Sequence, residues 1–339
     1  MFKRNKKLIV LIAVLILVLS LVVGCATKEG TSPGTSPKPT RTNFVFGSSV
    51  DGSYGYLVLE AMSSVLNKHF TDIRFSSVST DGGSENIFLL FNNDIDAGHS
   101  NNADILNAYM SEGPFKDKKY EPMQLLSYGA LTQIVAVRAD SDIKTIYDLK
   151  GKKVIVGPPG SGLETDTTRY FGFADIDIVP VNLAIPETAD AFISGRADAA
   201  LLLFRNGQPY PLNMEVEAAM EIRYLPWDPK INKMMMDATA ATPGIISPDV
   251  SPFMNEPMEV YMNPMILLVR PDLEEELAYS ITKTLVENVE ELKAITPHLQ
   301  MVAPENVTKG LVAKFPVHPG AVRYYKETGI WEDRLTAGK

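Results

Sequence analysis

Residues 154–170 read VIVGPPGSGLETDTTRY and hold the smallest unit from which the fold can be inferred. Three β-branched residues, 154–156, predict a strand, the glycine- and proline-rich stretch predicts a turn, and residues 164–171 predict a helix. The spacing of Gly157 and Gly162 matches a phosphate-binding loop, but Leu163 replaces the required lysine and Glu164 replaces the magnesium-binding hydroxyl. A carboxylate at that position repels a triphosphate. The stretch therefore predicts a strand–loop–helix unit without nucleotide chemistry.

The same unit recurs on both sides of this stretch. Upstream, strands are predicted at residues 44–46, 73–78 and 96–99, and helices at residues 56–70, 85–92 and 103–110. Downstream, strands are predicted at residues 178–181 and 199–204, with a helix at residues 187–194 between them. Strands that alternate with helices across glycine- and serine-rich connections indicate an α/β fold, in which mostly parallel sheets are flanked by helices.

The positions of these units along the chain predict two lobes with a cleft between them. The chain from residue 43 onward has about 290 residues, a length that favours two domains over one. We assign residues 43–135 to lobe 1, residues 136–260 to lobe 2, and residues 261–339 to a return into lobe 1 that ends in helices. In α/β sheets, ligands bind beyond the ends of the strands, which places the predicted binding site in the cleft.

The returning segment predicts a strand and one long helix. Residues 265–269 form an apolar run, and Asp272 and Glu275 have the spacing of a capping box. Apolar residues then recur every four positions on one helical face, at Leu277, Ile281, Leu285 and Val289. Together with a strand predicted at residues 133–137, this segment gives two crossings between the lobes, which would form a hinge.

The N-terminus has the pattern of an export signal. Four basic residues among the first seven precede sixteen mainly apolar residues, 8–23, which are too few for a typical membrane span. The run ends in LVVGC, whose Cys25 is the only cysteine in the sequence. This ending resembles a bacterial lipobox, which implies a signal peptide at residues 1–24, cleavage before Cys25 and a lipid on its sulfur. The alternative is an uncleaved anchor helix, and both place the remainder outside the cytoplasm, on the outer face of the cytoplasmic membrane or in the periplasm.

Composition after the signal limits the possible partners. Residues 25–42 are rich in proline, glycine, serine and threonine, which predicts a flexible tether. Removing the signal takes away four basic and no acidic residues, so the net charge falls from −9 to −13. This balance argues against nucleic acid as a partner. The four histidines lack metal-ligand spacing, and we expect no metal, no cofactor and no catalytic residue.

Polar residues at the predicted cleft are the candidate ligand contacts. Main-chain N–H groups and the dipole at a helix start stabilise a bound anion, and small polar residues flank such starts in both lobes. Glu164 either favours a ligand that also carries a donor or caps its helix, and Arg205 either pairs with a carboxylate or is a solvated surface residue. The candidates are Ser48, Ser49, Ser53, Tyr54, Ser84, Asn101, Asn102 and Tyr128 in the first series, and Ser161, Gly162, Glu164, Thr165, Arg205 and Gln208 in the second.

Five segments carry a family resemblance: DGSY at 51–54, TDGGSEN at 80–86, VRADSDIKTIYDLKGKKVIVGPPGSGLET at 137–165, VRPDLEEELAYSITKTLVEN at 269–288 and FPVHPGAVRYYKETG at 315–329. Together they resemble the TAXI-family solute-binding subunits of TRAP transporters. The likeness covers nearly all of the chain after the tether. Its most specific part is PGSG-x-E combined with the HPGA-x-x-YYKE-x-G ending. Two stretches depart from the family pattern at the cleft, GSSVDGSYGY and LFRNGQP, so the identity of the ligand is not transferred.

The resemblance implies a fold, a function and a partner. It implies a two-lobed type II periplasmic-binding-protein fold that captures a small organic anion, such as glutamate or 2-oxoglutarate, for a TRAP-type membrane permease. We expect a monomer that closes on its ligand by bending residues 133–138 and 261–269. Two alternatives remain: a ligand-binding sensory module for a membrane kinase, and an extracytoplasmic enzyme that uses the same cleft.

Overall fold

The computed structural model describes residues 42–339, apart from Gly52, Gly160 and the side chains of Pro297 and His298. Thr42–Lys339 forms one compact unit. The predicted signal peptide, Cys25 and the tether up to residue 41 lie outside the described residues and stay predictions. No helix in the described part of the chain has both the length and the apolar character needed to span a membrane.

The N-terminal half of the unit follows the predicted alternation of strands and helices. Its elements are β1 (Asn43–Gly47), α1 (Tyr54–His69), β2 (Arg74–Val78), α2 (Gly83–Asn92), β3 (Ala97–Asn101), α3 (Asn102–Met110) and β4 (Met123–Arg138). The next elements are β5 (Lys153–Ile155), α4 (Gly162–Phe173), β6 (Val179–Val181), α5 (Ile185–Ile193), β7 (Ala199–Arg205) and β8 (Gln208–Pro209). Each predicted strand and helix of these two series exists, with ends that move by a few residues.

The C-terminal half contains several elements that the sequence did not predict. Its elements are α6 (Pro211–Ala219), β9 (Ile222–Leu225), α7 (Pro229–Thr239), β10 (Thr242–Ile246), β11 (Met258–Val269), α8 (Glu275–Glu287), α9 (Val289–Ile295), β12 (Pro316–Val317), α10 (Pro319–Glu327) and β13 (Thr336–Ala337). Short 3-10 turns lie at Gly113–Phe115, Ile146–Leu149, Pro248–Val250 and Pro297–Val302.

The strands form a mixed sheet in the order β2-β1-β3-β11-β4-β7-β5-β6. Strand β1 is parallel to β2 and β3, and β5 is parallel to β6 and β7, as expected for strands joined by crossover helices. Strands β4 and β11 are antiparallel to each other and to their outer neighbours β7 and β3. The α/β fold class is therefore confirmed, with two parallel parts joined through an antiparallel centre.

Two hydrophobic cores lie on either side of this centre. The first core draws its buried residues from 44–128 and 266–335, with Ala240, and the second core draws them from 134–261. Strands β4 and β11 contribute to both cores, because each continues from one into the other. The predicted boundaries at residues 135 and 260 lie inside these two strands, and the division into lobes stays a prediction.

Strand β4 is longer than the predicted strand at residues 133–137. Its first half includes Gln124 and Ser127, both fully or almost fully buried, and Gly129, which together hide the apolar pattern of a strand. Gln124 tolerates burial because its amide donates to the carbonyls of Val312 and Phe315 and accepts from the Val312 N–H. Polar contacts with residues distant in sequence therefore stabilise this half of β4. No local sequence pattern reveals such contacts, so this half was not predicted.

The predicted long helix is two helices, and its predicted cap is wrong. Asn288 separates α8 from α9 with φ −108° and ψ 32°. Helix α8 begins after Glu274, while Asp272 lies outside it and pairs with Arg270 at 2.9 Å. Ile281 and Leu285 are buried on the face that the periodicity predicts.

Candidate functional site

A tight hairpin joins β7 to β8 and fixes the position of Arg205. Arg205 and Gln208 are paired across the hairpin, and the two residues between them, Asn206 and Gly207, have φ angles of 52° and 78°. Two positive φ angles are those of a type I′ turn, for which Asn-Gly is the favoured sequence. The Asn206 side chain accepts from the Ala130 N–H at 2.8 Å, and the Asn206 N–H donates to the Ala130 carbonyl at 2.9 Å. The hairpin is therefore attached to β4 where that strand passes between the cores.

The guanidinium group of Arg205 lies between two aromatic rings. Its central carbon is 3.9 Å from the ring centre of Tyr54, in the first core, and 4.6 Å from that of Tyr210, which packs against the second core. Cations at such distances are attracted to the ring faces. Burial lowers the pKa of Arg205 and the nearby Tyr54 opposes this, but arginine remains protonated at neutral pH. The side chain therefore places a positive charge where the two cores meet.

The charge of Arg205 has no carboxylate partner among the described residues. Its Nε is buried and has no hydrogen-bond partner in that part of the chain. The guanidinium contacts two ring faces, and its N–H groups can donate to a ligand. A planar acid group can accept two of them at once.

Tyr54 is positioned by the start of α1. Ser53 caps this helix, because its hydroxyl accepts from the Tyr56 N–H at 3.3 Å. The Tyr54 hydroxyl donates to the Tyr128 carbonyl at 3.1 Å, and burial raises the pKa of Tyr54. Gly129 permits this approach, since a Cβ there would lie 3.0 Å from the Tyr54 hydroxyl oxygen.

Tyr128, whose carbonyl accepts the hydrogen bond from Tyr54, is fully buried. Its hydroxyl contacts Nδ1 of His99, a half-buried residue of β3. Burial lowers the pKa of His99 to about 4, so its ring is neutral at pH 7. Tyr128 was predicted as a ligand contact; the structure shows its side chain inside the protein, where it supports Tyr54.

Two predicted serines of the first series hold loops of the first core. Ser48 is fully buried and donates to the Val78 carbonyl at 2.7 Å, while the carbonyl of the half-buried Ser49 accepts from the Ser79 hydroxyl at 3.1 Å. The Ser48 side chain thus ties the end of β1 to the end of β2. Their role in ligand binding stays a prediction.

Ser84 and Asn101 converge on Asp104. The Ser84 hydroxyl donates to Asp104 Oδ1 at 2.7 Å and the Asn101 amide donates to Asp104 Oδ2 at 2.6 Å. Asn101 also caps α3 by accepting from the Ala103 N–H at 2.9 Å. Burial raises the pKa of Asp104, and the two hydrogen bonds oppose that rise. These predicted contacts therefore stabilise a carboxylate of the protein itself.

Asn102 joins the two cores by a chain of hydrogen bonds. Its amide donates to the Thr239 carbonyl at 2.8 Å and to Asn263 Oδ1 at 3.1 Å. Asn263, on β11, donates in turn to the buried Asp166 of α4 at 2.7 Å. Burial raises the pKa of Asp166, and the Asn263 bond opposes this. Asn102 is therefore part of the connection between the cores.

The predicted residues at the start of α4 form a local cap. The Ser161 hydroxyl accepts from the Glu164 N–H at 3.3 Å, and the exposed Thr165 donates to the Ser161 carbonyl at 3.0 Å. Gly162 is exposed and has open space where a side chain would be. Ser161, and not Glu164, caps the helix; Glu164 Oε1 accepts from the Asn182 amide at 2.6 Å.

Two cavities border these elements. One of about 340 Å³ lies beside Ser79 and Thr80 of the first core and is flanked by the acidic side chains of Asp51, Asp81 and Glu85. The other, of about 600 Å³, includes Arg205 and Gln208 in its wall. Among the described residues, no group of three or more histidine, cysteine, aspartate or glutamate side chains could hold a metal ion.

The structure thus brings four predicted residues to one place: Tyr54, Tyr128, Arg205 and Gln208. Sequence reasoning missed Tyr210, which lies at the same place. The Asn-Gly pair was a local signal for the hairpin, and with it for the pairing of Arg205 with Gln208. Tyr210 had no such signal, because its contact with Arg205 depends on the tertiary fold.

The fold is similar to that of a solved periplasmic binding protein. The putative periplasmic sulfonate-binding protein SsuA of Methylobacillus flagellatus KT is similar over 88% of this chain and 90% of its own, with 15% identity and a TM-score of 0.50. The architecture is that of type II periplasmic-binding-protein-like solute-binding proteins, as predicted. Residues 46–329 match the model of the NMT1-like family, and the chain belongs to that family.

Two further solved structures are similar at lower TM-scores. The aliphatic sulphonate binding protein SsuA of Escherichia coli has 16% identity and a TM-score of 0.46 over 87% of this chain and 95% of its own. The probable amino-acid ABC transporter extracellular-binding protein ytmK of Bacillus subtilis has 17% identity and a TM-score of 0.43 over 77% and 98%.

Proposed function

We propose that this chain is an extracytoplasmic solute-binding protein that captures a small organic anion and delivers it to a membrane transporter. The observation that carries the proposal is Arg205, a cation without a carboxylate partner among the described residues, held between Tyr54 and Tyr210 at the junction of the two cores. A partly desolvated charge of this kind is stabilised by an acid group that bonds to it.

Binding at this junction would close the protein. An anion on Arg205 touches a side chain whose neighbours come from both cores, and β4 and β11 are the segments that must bend. In this proposal residues 43–135 and 261–339 move as one lobe and residues 136–260 as the other. The bend lies in the two crossing segments, residues 133–138 of β4 and 261–269 of β11, which adjoin the boundaries between the lobes. Small-angle scattering with and without a bound ligand tests closure, and an unchanged radius of gyration would contradict it.

The proposed partner is a TRAP-type permease, from the TAXI-like segments at residues 137–165 and 315–329. The similar solved structure from Methylobacillus flagellatus KT carries the name of a sulfonate ABC transporter protein, so the energy source is the point to test. Uptake of the ligand by cells should stop when the ion gradient is collapsed and continue when ATP is depleted. The opposite result would assign an ABC-type partner.

The proposed location is the outer face of the membrane, through lipid on Cys25. Mass spectrometry of the mature N-terminus tests this location. An N-terminal Cys25 that carries lipid supports the proposal, and an uncleaved chain without lipid would argue for the anchor helix.

A thermal-shift screen of the purified protein tests anion binding. Glutamate, 2-oxoglutarate, other amino acids, carboxylates and sulfonates are the first compounds, and neutral amides of the same acids are the controls. A ligand at a hundredfold excess over its Kd stabilises the native state by about 2.7 kcal/mol. If no organic anion raises the Tm more than its neutral amide, the proposed function is wrong.

A further inference from the structure

The cavity beside Arg205 has mostly apolar walls. Its volume is about 600 Å³, within the range of roughly 300–1,000 Å³ that small-molecule sites occupy. Its apolar residues come from the start of α5, from the β8 segment and from α6: Ile185, Pro186, Pro209, Pro211, Leu212 and Met214. The cavity therefore offers hydrocarbon surface next to the positive charge.

Met214 shows that part of the apolar wall of this cavity is exposed in the described chain. It lies in α6, lines the cavity, and leaves 62% of its surface exposed. Methionine adapts its shape to apolar partners, and apolar side chains are stabilised when a partner removes them from water. The acidic residue of this wall, Glu215, is exposed. A second negative charge on the ligand would meet Glu215 or an apolar wall, and both are unfavourable.

We propose that the ligand is a monoanionic organic acid with an apolar body. Its acid group bonds to the edge of Arg205, and its hydrocarbon part lies in the cavity lined by Leu212 and Met214. This inference rests on the proposed function and names the class of ligand for the same site. It disfavours glutamate and 2-oxoglutarate, whose bodies are short and polar.

Isothermal titration with straight-chain acids tests the proposal. The series runs from acetate through butanoate and hexanoate to octanoate, with the matching alkyl sulfonates as a second arm. Each buried methylene should strengthen binding about fourfold, so hexanoate should bind about 16-fold more tightly than butanoate. The two arms distinguish a carboxylate from a sulfonate head. The two dicarboxylates, glutamate and 2-oxoglutarate, are the polar comparison and should bind more weakly than hexanoate.

Met214→Glu tests the contribution of the cavity to binding separately from the charge of Arg205. The new carboxylate at the cavity wall should weaken octanoate binding about tenfold or more and change butanoate binding less. Ile245→Glu is the matched control: Ile245 is 66% exposed on β10, does not line the cavity, and receives the same charge. Both positions are exposed, so both variants should keep the wild-type Tm.

The outcomes separate this inference from the proposed function. If short polar acids bind and chain length adds nothing, the apolar-body proposal is wrong while the anion-binding function stands. If Met214→Glu and Ile245→Glu weaken octanoate equally, the cavity is not the site of the hydrocarbon. If no acid of either arm and no dicarboxylate binds, both proposals fail.

Discussion

The two sides of the junction differ in how their polar groups are satisfied. On the side of the first core, Ser84 and Asn101 already donate to Asp104, and the neighbouring cavity is flanked by acidic side chains. On the side of the second core, Arg205 has no carboxylate partner in the described chain and borders a mainly apolar cavity. Satisfied polar groups contribute to stability, whereas an unsatisfied cation gains most from a ligand. The comparison predicts that substitutions on the first side change stability and those on the second side change affinity.

Arg205→Gln should give the largest effect. Glutamine cannot supply the charge or the paired donors, and a bidentate bond to a charged group contributes about 3 kcal/mol at the upper end of the usual range. We expect anion affinity to fall about 100-fold with little change in Tm. Arg196→Gln, which removes the same charge from an exposed position, is the control. Equal affinity of the two variants would remove Arg205 from the site.

His99 should make the first core sensitive to acid. Its folded pKa of about 4 lies below its unfolded value of about 6.5, so the unfolded state binds the proton first and stability falls as the pH drops between these values. Because the ring is only half-buried, we expect a loss of about 2 kcal/mol by pH 4. Urea unfolding of the wild type and His99→Gln at pH 7 and pH 4 measures it. An identical pH dependence in both proteins would exclude His99 as the cause.

Tyr210→Leu tests the ring that covers Arg205 from the second core. Loss of one cation–π contact should weaken anion binding by about 1 kcal/mol, or about fivefold. Tyr210→Phe keeps the ring and should bind like the wild type. If phenylalanine and leucine behave alike, the stacking does not position Arg205.

Ser84→Ala tests the side of the first core, where a substitution should change stability and leave affinity unchanged. The variant loses one hydrogen bond to Asp104 and should be about 1 kcal/mol less stable, with unchanged affinity. Chemical denaturation and titration on the same preparation measure both quantities. A loss of affinity without a loss of stability would show that Ser84 contacts the ligand directly.

Local patterns predicted the parts of the fold that depend on local interactions. The repeated strand–loop–helix units, the buried face of α8 with Ile281 and Leu285, and the α/β fold class follow from periodicity and turn chemistry. The first half of β4 was missed because its buried Gln124 is satisfied by residues almost two hundred positions away. The break at Asn288 was missed because periodicity continues through it.

The candidate site was predictable only in part, for the same reason. Arg205 and Tyr54 were selected because they lie at the end of a predicted strand and beside the start of a predicted helix, and the structure has Arg205 as the last residue of β7 and Tyr54 as the first of α1. Which polar groups were already satisfied could not be inferred, since Ser48 and Asn102 use partners that lie far away in sequence. Their residue types suit a ligand site and a structural hydrogen bond equally well.

Strands β4 and β11 pair with each other at the same level where both leave one core for the other, with Leu131 opposite Asn263 and Ala130 opposite Pro264. Two separate linkers could each rotate and twist on their own, but a hydrogen-bonded ribbon cannot. In the proposed closure, the two lobes would therefore be restricted to essentially one direction of motion relative to each other. A ligand that is too large would stop that motion part of the way, so the angle between the lobes would report the size of the ligand to the proposed membrane partner.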